Sequence, residues 1–255
     1  MRISPPGVSI GTVRVNHVEL CQNGNESARI VATQGRTVYL SDISTGRIIG
    51  SETVRFPASN IIKLGVDTLY NASFSPHDPS GTFISTGGTD KVLSILDARL
   101  LGNKTSSVAI KYPNAHQLSI TDTKFNNFIP YWVATSGEDG VVKIWDIRFM
   151  NGPAARIEGH YGEVNTICWS TTHCDVLASG STDRSWKAWS LSSSILAANN
   201  PKSDCFVGCP GSEWAGRVPE SYKEPNTTFG GRLLAEYVTE MSGSICSSMF
   251  ISLIF

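Results

Sequence analysis

Two sets of side chains in this 255-residue chain have the make-up of an acyl-transfer site. One is His116, Thr135 and Asp139; the other is His160, Ser179 and Asp183. A histidine placed between a hydroxyl and a carboxylate can take the hydroxyl proton and leave a nucleophile. Two observations weigh against that chemistry. No segment has the G-x-S-x-G pattern of a nucleophile elbow. The trio also occurs twice, each member displaced by the same 44 residues, as a structural unit would be and a single catalytic centre would not. No catalytic residue is therefore assigned, and the chain is read as a non-enzyme.

The same displacement relates Trp145 to Trp189 and Phe125 to Trp169. An indole N–H can donate and cannot accept, so a buried Trp needs an acceptor beside it. A Ser or Thr hydroxyl can accept from the indole and donate onward to His. A carboxylate on the second ring nitrogen then selects the tautomer. The two tetrads expected are His116, Thr135, Asp139, Trp145 and His160, Ser179, Asp183, Trp189.

Other candidates carry less. Cys205-x3-Cys209 lacks a second Cys or His pair at zinc spacing, and His173-Cys174 is a lone pair in a turn, so no metal and no cofactor is expected. Gly87-Gly88-Thr89-Asp90-Lys91 is a turn without the Walker spacing. The six cysteines are scattered and are read as thiols of an intracellular protein. The net charge of −1 provides no global field for nucleic acid. No apolar run is long enough for a signal peptide or a membrane span, so no membrane insertion is expected. Trp186 is out of phase with Trp189 on its strand, and Trp214 stands in a polar stretch. Both are candidates for partner binding, against packing on their own domain.

These residues need strands to position them. Val-, Ile- and Trp-rich runs lie at 119–125, 131–136 and 141–147, and again at 164–169, 176–181 and 185–190, separated by Asn, Asp, Gly and Pro. Residues 153–158 join the two units as an outer strand. Weaker copies cover 28–43, where Ser41-Asp42 stands in the Trp-Asp place, and 69–99, where Leu96-Asp97 does. A further partial unit spans 233–250, with Met241 in the His place and Phe250 in that of Trp169. Between them, 192–232 reads as a long insertion. A repeat of about 40–45 residues with GH and WD signatures marks a β-propeller blade. The expected fold is all-β: a single domain over 1–255, a partial ring of four to five blades of a seven-bladed architecture. The shortfall from seven predicts a shortened chain.

The tetrads resemble those of WD repeats. The order VYLSD, FSPHDPSGTFISTGGTD with DAR, NAHQLSITDTKF, GEDGVVKIWDIR and ASGSTDRSWKAWSLSSS, then a polar insertion and LLAEYVTEMSGSI, is similar to the C-terminal part of the EARP-and-GARP-interacting protein family. That resemblance implies an interaction scaffold in endosome-to-Golgi vesicle tethering. Its partners would be tethering-complex subunits, its location cytoplasmic and peripheral at endosome or trans-Golgi. A WD-repeat receptor for peroxisomal protein import, or another WD-repeat adaptor, is the alternative.

Overall fold

The computed structural model describes residues 15–21, 28–43, 47–53, 68–78, 81–101, 107–149, 152–191 and 231–238. Sixteen strands form four antiparallel sheets of four. By contacts the chain divides into two compact units, the first ending at Ile120 and the second starting at Thr121.

The first unit holds two sheets. One comprises β1 (Val15–Cys21), β2 (Arg29–Gln34), β3 (Thr37–Asp42) and β4 (Arg47–Thr53) in chain order. The other comprises β5 (Leu69–Phe74), β6 (Phe83–Gly88), β7 (Leu93–Asp97) and β8 (Val108–Tyr112). The weak copy at 28–43 thus covers the two middle strands of its sheet, and that at 69–99 the first three of its own. Strands β1, β4 and β8 complete them, and these lack the Trp-Asp landmark that made the repeat visible.

The second unit is built the same way. Its first sheet has β9 (Ile120–Phe125), β10 (Trp132–Gly137), β11 (Val141–Asp146) and β12 (Ala155–Glu158). Its second has β13 (Val164–Trp169), β14 (Val176–Ser181), β15 (Ser185–Leu191) and β16 (Gly231–Val238). Each run expected in 119–190 lies on one of these strands. Strand β16 pairs with β15 from Leu191↔Gly231 to Ser185↔Val238, so the start of the 233–250 segment, expected as an outer strand, is the fourth strand of the last sheet. Residues 239–250, with Met241 and Phe250, lie outside the described residues, as does most of the 192–232 insertion.

Each unit packs sheet on sheet. In the second, Ala134, Ile144 and Ala155 of one sheet bury against Trp169, Leu177 and Trp189 of the next. In the first, Val31 and Leu40 bury against Phe74, Ile84 and Leu96. In the second unit Ala134 and Ala155 leave room for the Trp169 and Trp189 rings, whereas aliphatic side chains meet in the first. Among the described residues no helix is long and apolar enough to cross a membrane.

Three hairpins that join the second and third strands of their sheets share one construction. Asp90, Asp139 and Asp183 each accept, through Oδ1, the N–H two residues on: Val92 (3.2 Å), Val141 (3.3 Å) and Ser185 (2.9 Å). The residue after each Asp is left-handed: Lys91 at φ 63°, Gly140 at φ 75° and Arg184 at φ 68°. This conformation costs an L-residue with a Cβ roughly 1–2 kcal/mol, and glycine little. A Cβ on Gly140 would also lie 3.1 Å from the Gly162 carbonyl oxygen. Gly140→Ala is therefore expected to lower stability by about 1–2 kcal/mol, read as a shift in the urea midpoint at unchanged m-value.

Candidate functional site

The last sheet assembles His160, Ser179, Asp183 and Trp189. The pairing places Ser179 on β14 two residues from Leu177, which lies opposite Trp189 on β15. Asp183 stands in the hairpin between those strands, and His160 precedes β13. The Trp189 indole N–H donates to Ser179 Oγ at 2.8 Å. The same oxygen is 2.7 Å from His160 Nε2, and His160 Nδ1 is 2.9 Å from Asp183 Oδ2.

The donors decide the proton positions. Ser179 already accepts from Trp189, so its hydroxyl donates to Nε2, and Nδ1–H donates to the carboxylate. The imidazole is therefore the neutral Nδ1–H tautomer, assigned from the network. Burial pushes its pKa below the ordinary 6.5, against the opposing pull of Asp183. Burial pushes the Asp183 carboxyl up, but hydrogen bonds from Ser185, His160 and the Tyr161 N–H outweigh it and hold it well below the usual carboxylate range.

The order of atoms is that of a catalytic triad, but the surroundings of the hydroxyl are wrong for a nucleophile. Ser179 Oγ is committed on both sides, to an indole and to a histidine, and Ser179 is buried. The arrangement holds a loop, a hairpin and two strands together. Gly159 belongs to the same construction. A Cβ there would meet the Trp189 ring at 2.6 Å, and its carbonyl accepts from Lys187 Nζ at 2.6 Å. The ammonium also pairs with Glu236 Oε1 on β16 at 2.9 Å.

In the preceding sheet, Trp145 donates to Thr135 Oγ1 at 2.8 Å. Asp139 caps its hairpin through Val141 as described above. His116 is buried and belongs to the first unit, whereas Thr135, Asp139 and Trp145 belong to the second. Trp186 is half-buried on β15 in register with Tyr237. Trp214 lies outside the described residues.

Residues absent from the sequence reading tie neighbouring sheets together. The buried Asp122 on β9 accepts through Oδ2 from the Ile167 N–H (3.0 Å) and Thr166 Oγ1 (3.3 Å) on β13. In the first unit, Glu19 Oε1 on β1 accepts from Ser73 Oγ (2.9 Å) and the Phe74 N–H (3.0 Å) on β5. A second motif follows the third strands. Arg99 grips Asp97 and Arg148 grips Asp146 with two nitrogens each, and the Arg148 guanidinium lies 3.5 Å from the centre of the Tyr131 ring. The pattern D-x-R in DAR and DIR is its signal. Among the described residues, no group of three or more His, Cys, Asp or Glu side chains is arranged to hold a metal ion.

Removing His160 strands buried partners. His160→Ala is expected to cost about 1–3 kcal/mol, seen as a lower melting temperature. The pH dependence has a defined sign. The unfolded imidazole titrates near 6.5 and the folded one lower. Below about pH 6.5 the unfolded chain therefore takes up a proton that the folded chain refuses. Stability is full above that pH and falls as pH drops through it, so Tm should decline from pH 7.5 to 5.5. His160→Ala should show a smaller decline over the same interval.

Comparison with known proteins places these repeats. The family model described as WD domain, G-beta repeat, matches residues 108–146 and 151–190. EARP and GARP complex-interacting protein 1 of Homo sapiens is 30% identical over 160 residues, 62% of this chain and 38% of that protein. The peroxisomal targeting signal 2 receptor of Saccharomyces cerevisiae is 29% identical over 48% of this chain and 36% of its own length. EARP-interacting protein 1 of Caenorhabditis elegans is 28% identical over 47% of this chain and 31% of its own. The chain spans less than two fifths of the length of these relatives. A chain of a solved structure titled as the mitotic checkpoint complex superposes with a TM-score of 0.57 at 16% identity, covering 71% of this chain and 49% of that one. The family model thus finds WD40 repeats at residues 108–146 and 151–190, and the four four-stranded antiparallel sheets have the fold of β-propeller blades.

Proposed function

We propose that this chain is a non-enzymatic scaffold that presents rigid sheets and hairpins to protein partners. One observation carries the reading. The Ser–His–Asp set of the last sheet, which has the make-up of a catalytic constellation, is spent on bracing Trp189. A fold of this kind does not name a function by itself, so the finer role rests on similarity. Relatives named for interaction with EARP, or with EARP and GARP complexes, recur in Caenorhabditis elegans, Rattus norvegicus and Homo sapiens. They support an adaptor in endosome-to-Golgi vesicle tethering, cytoplasmic and peripheral at those membranes, with tethering-complex subunits as partners. The yeast peroxisomal targeting receptor favours a second reading, an import receptor for peroxisomal proteins.

Affinity purification of the tagged chain from its source cell, followed by mass spectrometry, separates the two. Recovery of tethering-complex subunits is the expected result. Enrichment of peroxisomal matrix proteins instead would move the assignment to the second reading, and recovery of no partner by folded protein would remove the scaffold role.

A further inference from the structure

Tyr161 is 96% exposed, the highest value of any large apolar side chain among the described residues. Tyrosine ordinarily lays much of its ring against its own domain. Here the ring stands in water while the backbone beneath it is fixed at successive residues. The Gly159 carbonyl accepts from Lys187 Nζ at 2.6 Å. His160 is bonded through both ring nitrogens, to Ser179 and Asp183. The Tyr161 N–H itself donates to Asp183 Oδ2 at 3.0 Å. Gly162 packs so closely on the hairpin that a Cβ there would lie 2.5 Å from Thr182 Oγ1. The Glu163 carbonyl accepts the Thr182 N–H at 2.9 Å.

On its other side the loop meets the hairpin of the preceding sheet, where a Cβ on Gly140 would lie 3.1 Å from the Gly162 carbonyl oxygen and 3.3 Å from that of His160. The loop thus sits between two hairpins, at the strand ends, and the exposure of Tyr161 owes nothing to the outer face of the last sheet. An exposed aromatic ring on a backbone already in place has the form of an interface anchor, because little chain entropy is lost when a partner covers it.

The charges around the ring decide what it fits. Lys187 Nζ lies 5.8 Å from the ring centre, and its charge is paired with Glu236 Oε1 at 2.9 Å. Arg156 pairs with Glu158, and the Lys143 ammonium is offset by Asp139. Three carboxylates then remain on the loop and the two hairpins: Glu163, which is exposed, and Glu138 and Asp183, which are half-buried. His160 is neutral and leaves the charge of Asp183 in place. The exposed base facing them is Arg184. The surroundings of the ring are therefore net negative, and an aromatic face in such a field attracts a cation. A guanidinium suits it better than an ammonium, since it can lie flat on the ring and present its N–H fork to a carboxylate.

We propose that Tyr161 anchors a partner segment carrying an arginine, whose guanidinium stacks on the ring and pairs with the Glu163 carboxylate. The inference rests on the scaffold reading and adds to it the chemistry of the segment that is bound. The buried network then serves recognition as well as stability, because Asp183, held by His160 and Ser185, in turn holds the Tyr161 N–H.

Panning short random peptides displayed on phage against the folded full chain tests this. Arginine-containing peptides should be enriched over the starting library. They should bind Tyr161→Ala and Glu163→Lys roughly tenfold more weakly than wild type, and Tyr161→Phe equally well. Changing the arginine of a selected peptide to glutamine should abolish its binding. Phe149→Ala removes another exposed ring, beyond the far end of β11, and should leave binding unchanged. Tyr161→Ala keeps the N–H and deletes only exposed atoms, so its melting temperature should match wild type. Glu163→Lys carries the test alone if circular dichroism shows Tyr161→Ala unfolded. No enrichment, selected peptides without arginine, or equal binding by the folded variants overturns the proposal. The scaffold reading survives that result if affinity purification still recovers the same partners with Tyr161→Ala, whereas a wild-type chain that recovers none removes both.

Discussion

The Trp189 indole has one donor and no acceptor, and the sheet buries it. The construction of the last sheet follows from that constraint. Ser179 must stand within reach on the adjacent strand, and its own proton must then go elsewhere, to His160 Nε2. The histidine becomes a donor at Nδ1 and needs a carboxylate, which the hairpin supplies in Asp183. Asp183 in turn accepts the N–H groups of Tyr161 and Ser185, fixing both the entering loop and the hairpin. A satisfied buried network rigidifies its surroundings, while a gap in it costs the desolvation of whatever is left unpaired.

Sheet faces impose the second constraint. A four-stranded sheet has two faces, and each apolar one needs a neighbour. Large residues of one row enter a face kept small on the next sheet: Trp169, Leu177 and Trp189 against Ala134, Ile144 and Ala155. Carboxylates fix how the sheets meet. Asp122 spans from β9 to the backbone of β13, and Glu19 spans from β1 to β5. Each satisfies an N–H of its partner strand with a charged acceptor, a stronger bond than a neutral pair provides. Such a body keeps its hairpins and loops in one geometry, which is what a partner-binding scaffold requires: little of the binding free energy is lost to ordering.

Much of the architecture was legible in the sequence because its constraint is local. The 44-residue echo of Trp145 in Trp189 reflects a unit that must rebuild the same acceptor for the same indole. The Asp before each left-handed turn residue is likewise written into the chain, since an Asx turn needs only neighbours. Where the indole is absent, as at Ser41 and Leu96, the signal fades. Strands β1, β4 and β8 went unseen because alternating apolar and polar residues over five to seven positions look alike in any sheet. The ties through Glu19 and Asp122 were missed for a related reason. A carboxylate on a strand reads as a solvated face until the partner strand is known.

The sequence by itself determined the all-β repeat, the membership of His160, Ser179, Asp183 and Trp189 in one unit, and the turns that connect them. All depend on residue type at short, regular spacing. Only the tertiary structure decided that the Ser179 hydroxyl is held from both sides and so is no nucleophile. It alone showed which carboxylates bridge sheets, and that Gly231–Val238 closes the last sheet after a gap of some forty residues. It also showed that Tyr161, next to the buried imidazole of His160, stands exposed. Register and burial are relations between strands far apart in the chain, and composition carries no record of them until the strands are paired.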